Sequence, residues 1–309
     1  MSIGSMRPAF RCAFAFAVAG VITLALQSSV KAEDTEQPVN TGKISFEVSA
    51  DIVTEYWFRG IGQENQGFIL QPGAALTINL IDEEDFSLDG YFGTWNSYHD
   101  HAATGSNWYE SDIFVGLSAG LPHDFGVDLS YIVLYDPANG ATFAEEVDLG
   151  ISYDDSNLMD ELGCPVALSP HVLFAIETGS SSDGGSDGGN ELGTYMEIGI
   201  EPSFIIVESV DYPVTLNIPM TVGLSLDDYY EADTNGDGIL EDDTFGFFDV
   251  GAVFSMPLAF IPSDYGQWET YAGVHCLLLG DTTEQLSMNM GTGDDDFSVY
   301  GTFGISMNY

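Results

Sequence analysis

The chain has 309 residues, with 49 Asp and Glu against 5 Lys and Arg, and a net charge of −44 at pH 7. Neutralising phosphates takes Lys and Arg, so this balance excludes nucleic acid as a partner and favours the attraction of cations. Disorder, the ordinary reading of an acidic chain, is excluded by 45% hydrophobic and 13% aromatic content.

At the amino-terminus, Arg7 and Arg11 precede an apolar run from Cys12 to Leu26, and Val30-Lys31-Ala32 has the pattern of a cleavage site. These features predict a secretory signal peptide over residues 1–32, with an apolar core too short for a membrane helix. Its removal leaves only Lys43 and Arg59 opposing 49 carboxylates. Residues 33–43 read as a short periplasmic tail. No later stretch approaches about eighteen uninterrupted apolar residues, so crossing a membrane by helices is excluded. Cys164 and Cys276 remain; the predicted register sets them at different heights, and no disulfide is expected.

From residue 44 onward the chain alternates apolar and polar residues with a period of two, the pattern of strands between two different surroundings. The first predicted strand runs from Ile44 to Arg59, with Ile44, Phe46, Val48, Ala50, Ile52, Tyr56 and Phe58 on one face and Glu47, Asp51, Glu55 and Arg59 on the other. Further strands are predicted for residues 68–80, 86–96, 108–121, 125–135, 143–153, 166–178, 192–206, 214–226, 245–258 and 268–279. The last runs from Phe297 to Tyr309 and ends on an aromatic, as outer-membrane barrel strands commonly do. Most reach the roughly 9–11 residues that a tilted strand needs to cross a bilayer. Short links at 81–85 and 122–124 alternate with long ones at 97–107, 179–191, 227–244 and 280–296. That asymmetry matches periplasmic turns and extracellular loops. Aromatics gather at the strand ends: Phe86, Phe125, Tyr153, Trp268 and Tyr309 low, with Tyr56, Phe58, Trp108, Tyr109, Tyr135 and Phe143 high, as two interfacial girdles require. A secreted β-sandwich also alternates, but it needs neither two belts nor closed edges. The expected fold is therefore all-β, one domain over residues 44–309. It is a transmembrane antiparallel up-and-down β-barrel of about twelve strands, in the outer membrane of a Gram-negative-type bacterium with lipid around it.

With the apolar face toward lipid, the carboxylates point into the lumen. The expected pore-lining set is Glu47, Asp51, Glu55, Asp89, Glu110, Asp112, Asp128, Asp148, Glu197, Asp249 and Glu269, with Glu146, Glu177 and Glu201 beside them. Arg59, facing inward near the outer end of the first strand, is expected to act as a structural staple between carboxylates. A watery bore with acidic walls attracts cations and repels anions.

The segment Val53-Thr54-Glu55-Tyr56-Trp57-Phe58-Arg59-Gly60-Ile61-Gly62-Gln63 is similar to the opening signature of the TorF-type porin family. Gln71-Pro72 and Asp89-Gly90-Tyr91-Phe92-Gly93-Thr94-Trp95 resemble the segments that follow it there. Glu55 and Gly62 stand where that family usually has Asp and Ser, and the likeness covers about the first 65 residues after the signal peptide. The resemblance implies an outer-membrane porin-like barrel and leaves its substrate open.

The sharpest local motif is Asp233-Thr234-Asn235-Gly236-Asp237-Gly238-Ile239-Leu240-Glu241, which fits D-x-[DN]-x-[DN]-G. Side chains of Asp233, Asn235 and Asp237, the carbonyl of Ile239, and Glu241 through water are the expected Ca2+ ligands. Thr244 stands where a bidentate Glu is usual, and strands rather than helices flank the loop. His99-Asp100-His101 is a weaker metal candidate, and His171 and His275 are expected to face the lumen. No Ser-centred motif sits beside a His, so catalytic residues are not expected and no cofactor is required. The functional expectation is a porin-like channel passing small cationic or neutral solutes. The alternative is a structural or surface-interaction barrel with a plugged lumen and calcium-binding loops; oligomeric state is not legible.

Overall fold

Alternating residues become a wall with an oily outside and a polar inside. The computed structural model describes residues 42–309, apart from 102–105, 165, 180–184, 211 and 294. The expected signal peptide and nearly all of the expected tail lie outside the described residues.

The strands are β1 (Ile44–Val53), β2 (Ile69–Glu83), β3 (Phe86–His99), β4 (Trp108–Leu121), β5 (Phe125–Asp136), β6 (Ala141–Tyr153) and β7 (His171–Gly179). β8 runs in two pieces, Thr194–Ile200 and Ser203–Val207, and β9 likewise as Val214–Asn217 and Met220–Asp227. β10 (Phe245–Pro257), β11 (Gln267–Leu279) and β12 (Phe297–Asn308) complete the set. The breaks fall at Pro202 and Pro219, which have no N–H to give to a ladder. Each strand pairs antiparallel with the next, and β12 returns to pair with β1, setting Asp51 opposite Gly304. Phe46 and Tyr309 exchange both backbone hydrogen bonds at 2.9 Å across that seam. The wall is a closed twelve-stranded barrel, with the start of β1 and the end of β12 at one rim, the near rim.

Ile52, Leu76, Phe92, Ile113, Val115, Leu117, Leu129, Ile176, Ile198, Phe254, Val274, Val299 and Phe303 all point outward and are exposed. Apolar surface of this extent around a closed wall fits lipid, not water. The 12 residues of β12, rising about 3.3 Å each and tilted about 40°, cover about 30 Å, a hydrocarbon thickness. At the near rim Phe125 stacks on Tyr153 with ring centroids 4.8 Å apart, and Tyr309 is exposed. Near the far rim Trp108 stacks on Tyr98 at 5.9 Å.

Three expectations are corrected. β1 ends at Val53, not Arg59, and the chain then leaves the wall for a hairpin, Tyr56–Phe58 against Ile61–Glu64. Arg59 (φ 46°) and Gly60 (φ 82°) form its two-residue turn, whose left-handed backbone reverses the chain at once. Tyr56 and Phe58 are consequently buried inside the barrel rather than set in the outer girdle; Tyr109 is also buried and Phe143 packs against the same cluster. Finally, β7 starts at His171, not Val166. The near-rim link before it holds a short helix, Ser156–Glu161, and ends at Pro170, so not every near-rim turn is short.

Candidate functional site

The hairpin lies in the far half of the lumen, and one cation seats it. Arg59 Nη1 and Nη2 donate to the two carboxylate oxygens of Glu146 on β6, at 2.7 and 2.8 Å. Asp148, one pleat further along β6, lies 3.9 Å from Nη2. The guanidinium sits 4.5 Å above the Tyr195 ring of β8 and donates to the Tyr229 hydroxyl, while the Tyr230 hydroxyl donates to the Arg59 carbonyl at 2.8 Å. Glu146 is wholly buried, and this fork-on-fork pair compensates its charge there. On the other arm, the Tyr56 hydroxyl donates to Glu110 at 2.7 Å.

The link between β11 and β12 covers the hairpin from the far side. It contains the helix Asp281–Met290, started by Thr283, whose hydroxyl accepts from the Gly280 N–H and donates to the Gly246 carbonyl. Ser287 accepts the Gly62 N–H at 2.9 Å, and Thr292 donates to the Gly62 carbonyl at 2.8 Å. Trp57, Ile61, Tyr195, Tyr229, Tyr230, Phe247, Leu277, Leu279 and Leu286 form one buried cluster around it. A Cβ on Gly60 would lie 2.8 Å from Phe247, so position 60 of the turn admits no side chain.

The candidate carboxylates divide by surroundings. Asp51, Asp89, Glu110, Asp112, Asp128, Asp148, Asp249 and Glu269 are buried on the inner face of the wall. Glu47 and Glu197 lie there too but are half-buried. Glu55 is not on a strand; it sits at the base of the hairpin, where Trp57 Nε1 and Ser298 Oγ donate to it. Tyrosines are the recurrent donors, an element the sequence reading did not assign. Tyr271 donates to Asp51 at 2.5 Å, Tyr91 to Asp128 at 2.7 Å, Tyr195 to Glu197 at 2.7 Å and Tyr300 to Asp249 at 3.1 Å. Their sequence signal was position: Tyr91 falls two residues after Asp89, on the same face. His275, buried as expected for the lumen, holds Asp249 through Nδ1 at 2.8 Å and stacks on Tyr300. His99 closes β3 inside the barrel, bonded to Ser97 and stacked on Tyr109, whereas His101 is exposed. The two histidines therefore do not converge.

The Asp233–Glu241 loop is exposed and closes on itself. Asp233 accepts the N–H groups of Gly236, Asp237 and Gly238, Asn235 accepts that of Asp237, and Asp237 accepts that of Ile239. Glu241 accepts from Thr234 and Asn235. Among the described residues no three of His, Cys, Asp and Glu are grouped to hold a metal ion. Nearby, two far-rim links clasp each other. Asp187 accepts the Glu231 N–H at 2.6 Å and the Gly189 N–H at 2.8 Å, while Glu231 accepts the N–H groups of Asn190 and Glu191. Burial pushes the Asp187 carboxyl up from 3.8 to about 7, against the opposing pull of those two amide donors.

No protein-family model matches the chain, and no curated protein does. Solved structures share its architecture. An outer-membrane channel from Pseudomonas putida F1 aligns at 10% identity with a TM-score of 0.47, over 90% of this chain and 100% of that one. LpxR from Salmonella typhimurium aligns at 9% identity and 0.43, over 85% and 99%. The NanC porin aligns at 11% identity and 0.38, over 85% and 98%. At these identities and scores the likeness carries no argument about activity.

Proposed function

We propose that this chain is an outer-membrane porin-like channel that passes small solutes and prefers cations. Its near rim faces the periplasm and its far rim the exterior. The observation that carries this reading is the buried inner wall of Asp51, Asp89, Asp112, Asp128, Asp148 and Asp249, against which Arg59 is the one Arg or Lys side chain in a described ion pair. Such a wall lowers the energy of a passing cation and raises that of an anion. The hairpin at Arg59 is the constriction, held by Glu146 of the wall and by Tyr230, Ser287 and Thr292 of the far-rim links. The likeness of Val53–Gln63 to the TorF-type opening belongs to this reading, with the signature acting as the inward hairpin.

A second reading is favoured by a specific observation, the aromatic cluster packed around that hairpin. In it the lumen is plugged, and the barrel serves structure or surface interaction, with calcium at the Asp233–Glu241 loop. Planar-bilayer conductance of the folded protein in a KCl gradient, with and without calcium, separates the two. Discrete cation-selective steps are expected. Silence from protein shown to be folded by heat-modifiable mobility would sink the channel and leave the plugged barrel.

A further inference from the structure

We propose that the inner wall between β5 and β6 holds a hard, oxygen-seeking cation on Asp128, Ser130 and Asp148. The claim rests on the channel reading only for the route by which the ion arrives. Asp128 Oδ2, Ser130 Oγ and Asp148 Oδ1 are all buried, and none has a hydrogen-bond partner among the described residues. The three residues are at most 3% exposed. A buried polar oxygen left unpaired is destabilising, more so when it is charged, so three together call for a shared partner.

Register places them side by side. Ser130 stands directly opposite Asp148 across the β5–β6 ladder, and Asp128 is the next inward residue of β5. Directly paired Cβ atoms lie about 5 Å apart and diagonal ones about 7–8 Å, a span that one ion with ligands at about 2.4 Å can bridge. Asp128 and Asp148 also lie within electrostatic reach of each other. Flanking groups fix the orientation of both. Tyr91 lies across Gly116 and donates to Asp128 Oδ1, directing Oδ2 to the site. The Tyr91 hydroxyl also lies beside Ser130. Arg59 Nη2 lies 3.9 Å from Asp148 Oδ2, and Oδ1 is the oxygen left without a hydrogen-bond partner. Ser118, opposite Asp128 on β4, adds a second buried hydroxyl oxygen without a partner at the margin.

The donor set is two carboxylates and a hydroxyl, with no nitrogen or sulfur. That chemistry suits sodium or calcium rather than a transition metal, and two carboxylates with Arg59 near one of them make a weak site rather than a structural one. Weak binding inside the wall is what a permeating ion requires, since it has to leave as well as bind.

The test is calorimetric titration of the detergent-folded full protein with calcium, repeated in excess sodium. It is run on a background of Asp233→Ala with Asp237→Ala, which removes two candidate calcium ligands of the exposed loop. A saturable component is expected to survive on that background, to weaken at least about tenfold in Asp128→Asn and in Asp148→Asn, and to weaken less in Ser130→Ala. Absence of that component, or its indifference to both Asp variants, would overturn the site and assign the free oxygens to bridging water. Should either Asp variant lose heat-modifiable mobility, Ser130→Ala, which keeps every charge, decides: unchanged affinity overturns the proposal. Conductance on the same samples keeps the two readings apart. Cation-selective steps without binding sink this site alone, and binding without conductance sinks the channel alone.

Discussion

Arg59 and Glu146 are 87 residues apart in sequence, yet their side chains meet in a two-pronged pair of 2.7 and 2.8 Å inside the barrel. The pair joins a segment that leaves the wall to a strand that forms it.

Replacing Arg59 by Gln leaves Glu146 buried and uncompensated. Breaking a buried pair from one side costs about 3–5 kcal/mol, and the hairpin is expected to leave its seat. Single-channel conductance should rise and the temperature of heat-modifiable migration should fall. An unchanged conductance with a lowered transition would mean that Arg59 stabilises the hairpin without controlling the passage.

Gly60→Val attacks the same hairpin without touching a charge. The new side chain meets a left-handed backbone at φ 82° and Phe247 within 2.8 Å. Strain of this kind costs about 1–3 kcal/mol before the clash is counted. The variant should reproduce the larger conductance of Arg59→Gln while keeping its cation selectivity. Loss of selectivity in this variant would mean that the hairpin, rather than the wall, discriminates charge.

Selectivity belongs to the wall in the proposed reading. Asp51→Asn together with Asp112→Asn removes two buried inner-face carboxylates. The reversal potential in a KCl gradient is expected to move toward zero. No movement would remove these two residues from the path of the ion.

The clasp between Asp187 and Glu231 should depend on pH with a definite sign. The folded Asp187 carboxyl titrates at about 7, above its ordinary 3.8, so the closed form binds a proton that the open form has released. Its contribution to closure is complete below about pH 4 and is lost as pH rises through 7. Amide hydrogen exchange at Asn190 and Glu191, compared between pH 5 and pH 8 after correction for intrinsic rates, should show weaker protection at the higher pH. Asp187→Asn should flatten that difference; a dependence that survives the substitution would remove Asp187 as its source.

The wall was legible because lipid outside and polar groups inside impose a strict period of two. β4 has the same limits in sequence and structure, Trp108–Leu121, and β12 differs only at its last residue. The hairpin was not legible by the same means. Tyr56 and Phe58 alternate with Trp57 and Arg59 as they would in a strand, and period two does not distinguish a strand in the wall from one inside it. Arg59-Gly60 was the available sign, since Gly after a turn residue marks a tight reversal. The tyrosine donors escaped for another reason. A tyrosine on an inward face resembles core packing until its hydroxyl is seen against a carboxylate. The break before His171 had a local signal in Pro170, whose preceding residue is turned from regular pairing.

The seam between Phe46 and Tyr309 sets the order of events during folding. These partners come from opposite ends of the strand sequence, so their contact is among the most distant that the chain makes, and topology of that kind folds slowly. Until they meet, the growing wall has two raw edges whose amides and carbonyls have neither water nor a neighbour once in hydrocarbon. A partly rolled wall is thus no resting point in a bilayer. Insertion and closure must proceed together, and a chain stalled before Tyr309 reaches Phe46 would expose those edges to any other strand within reach.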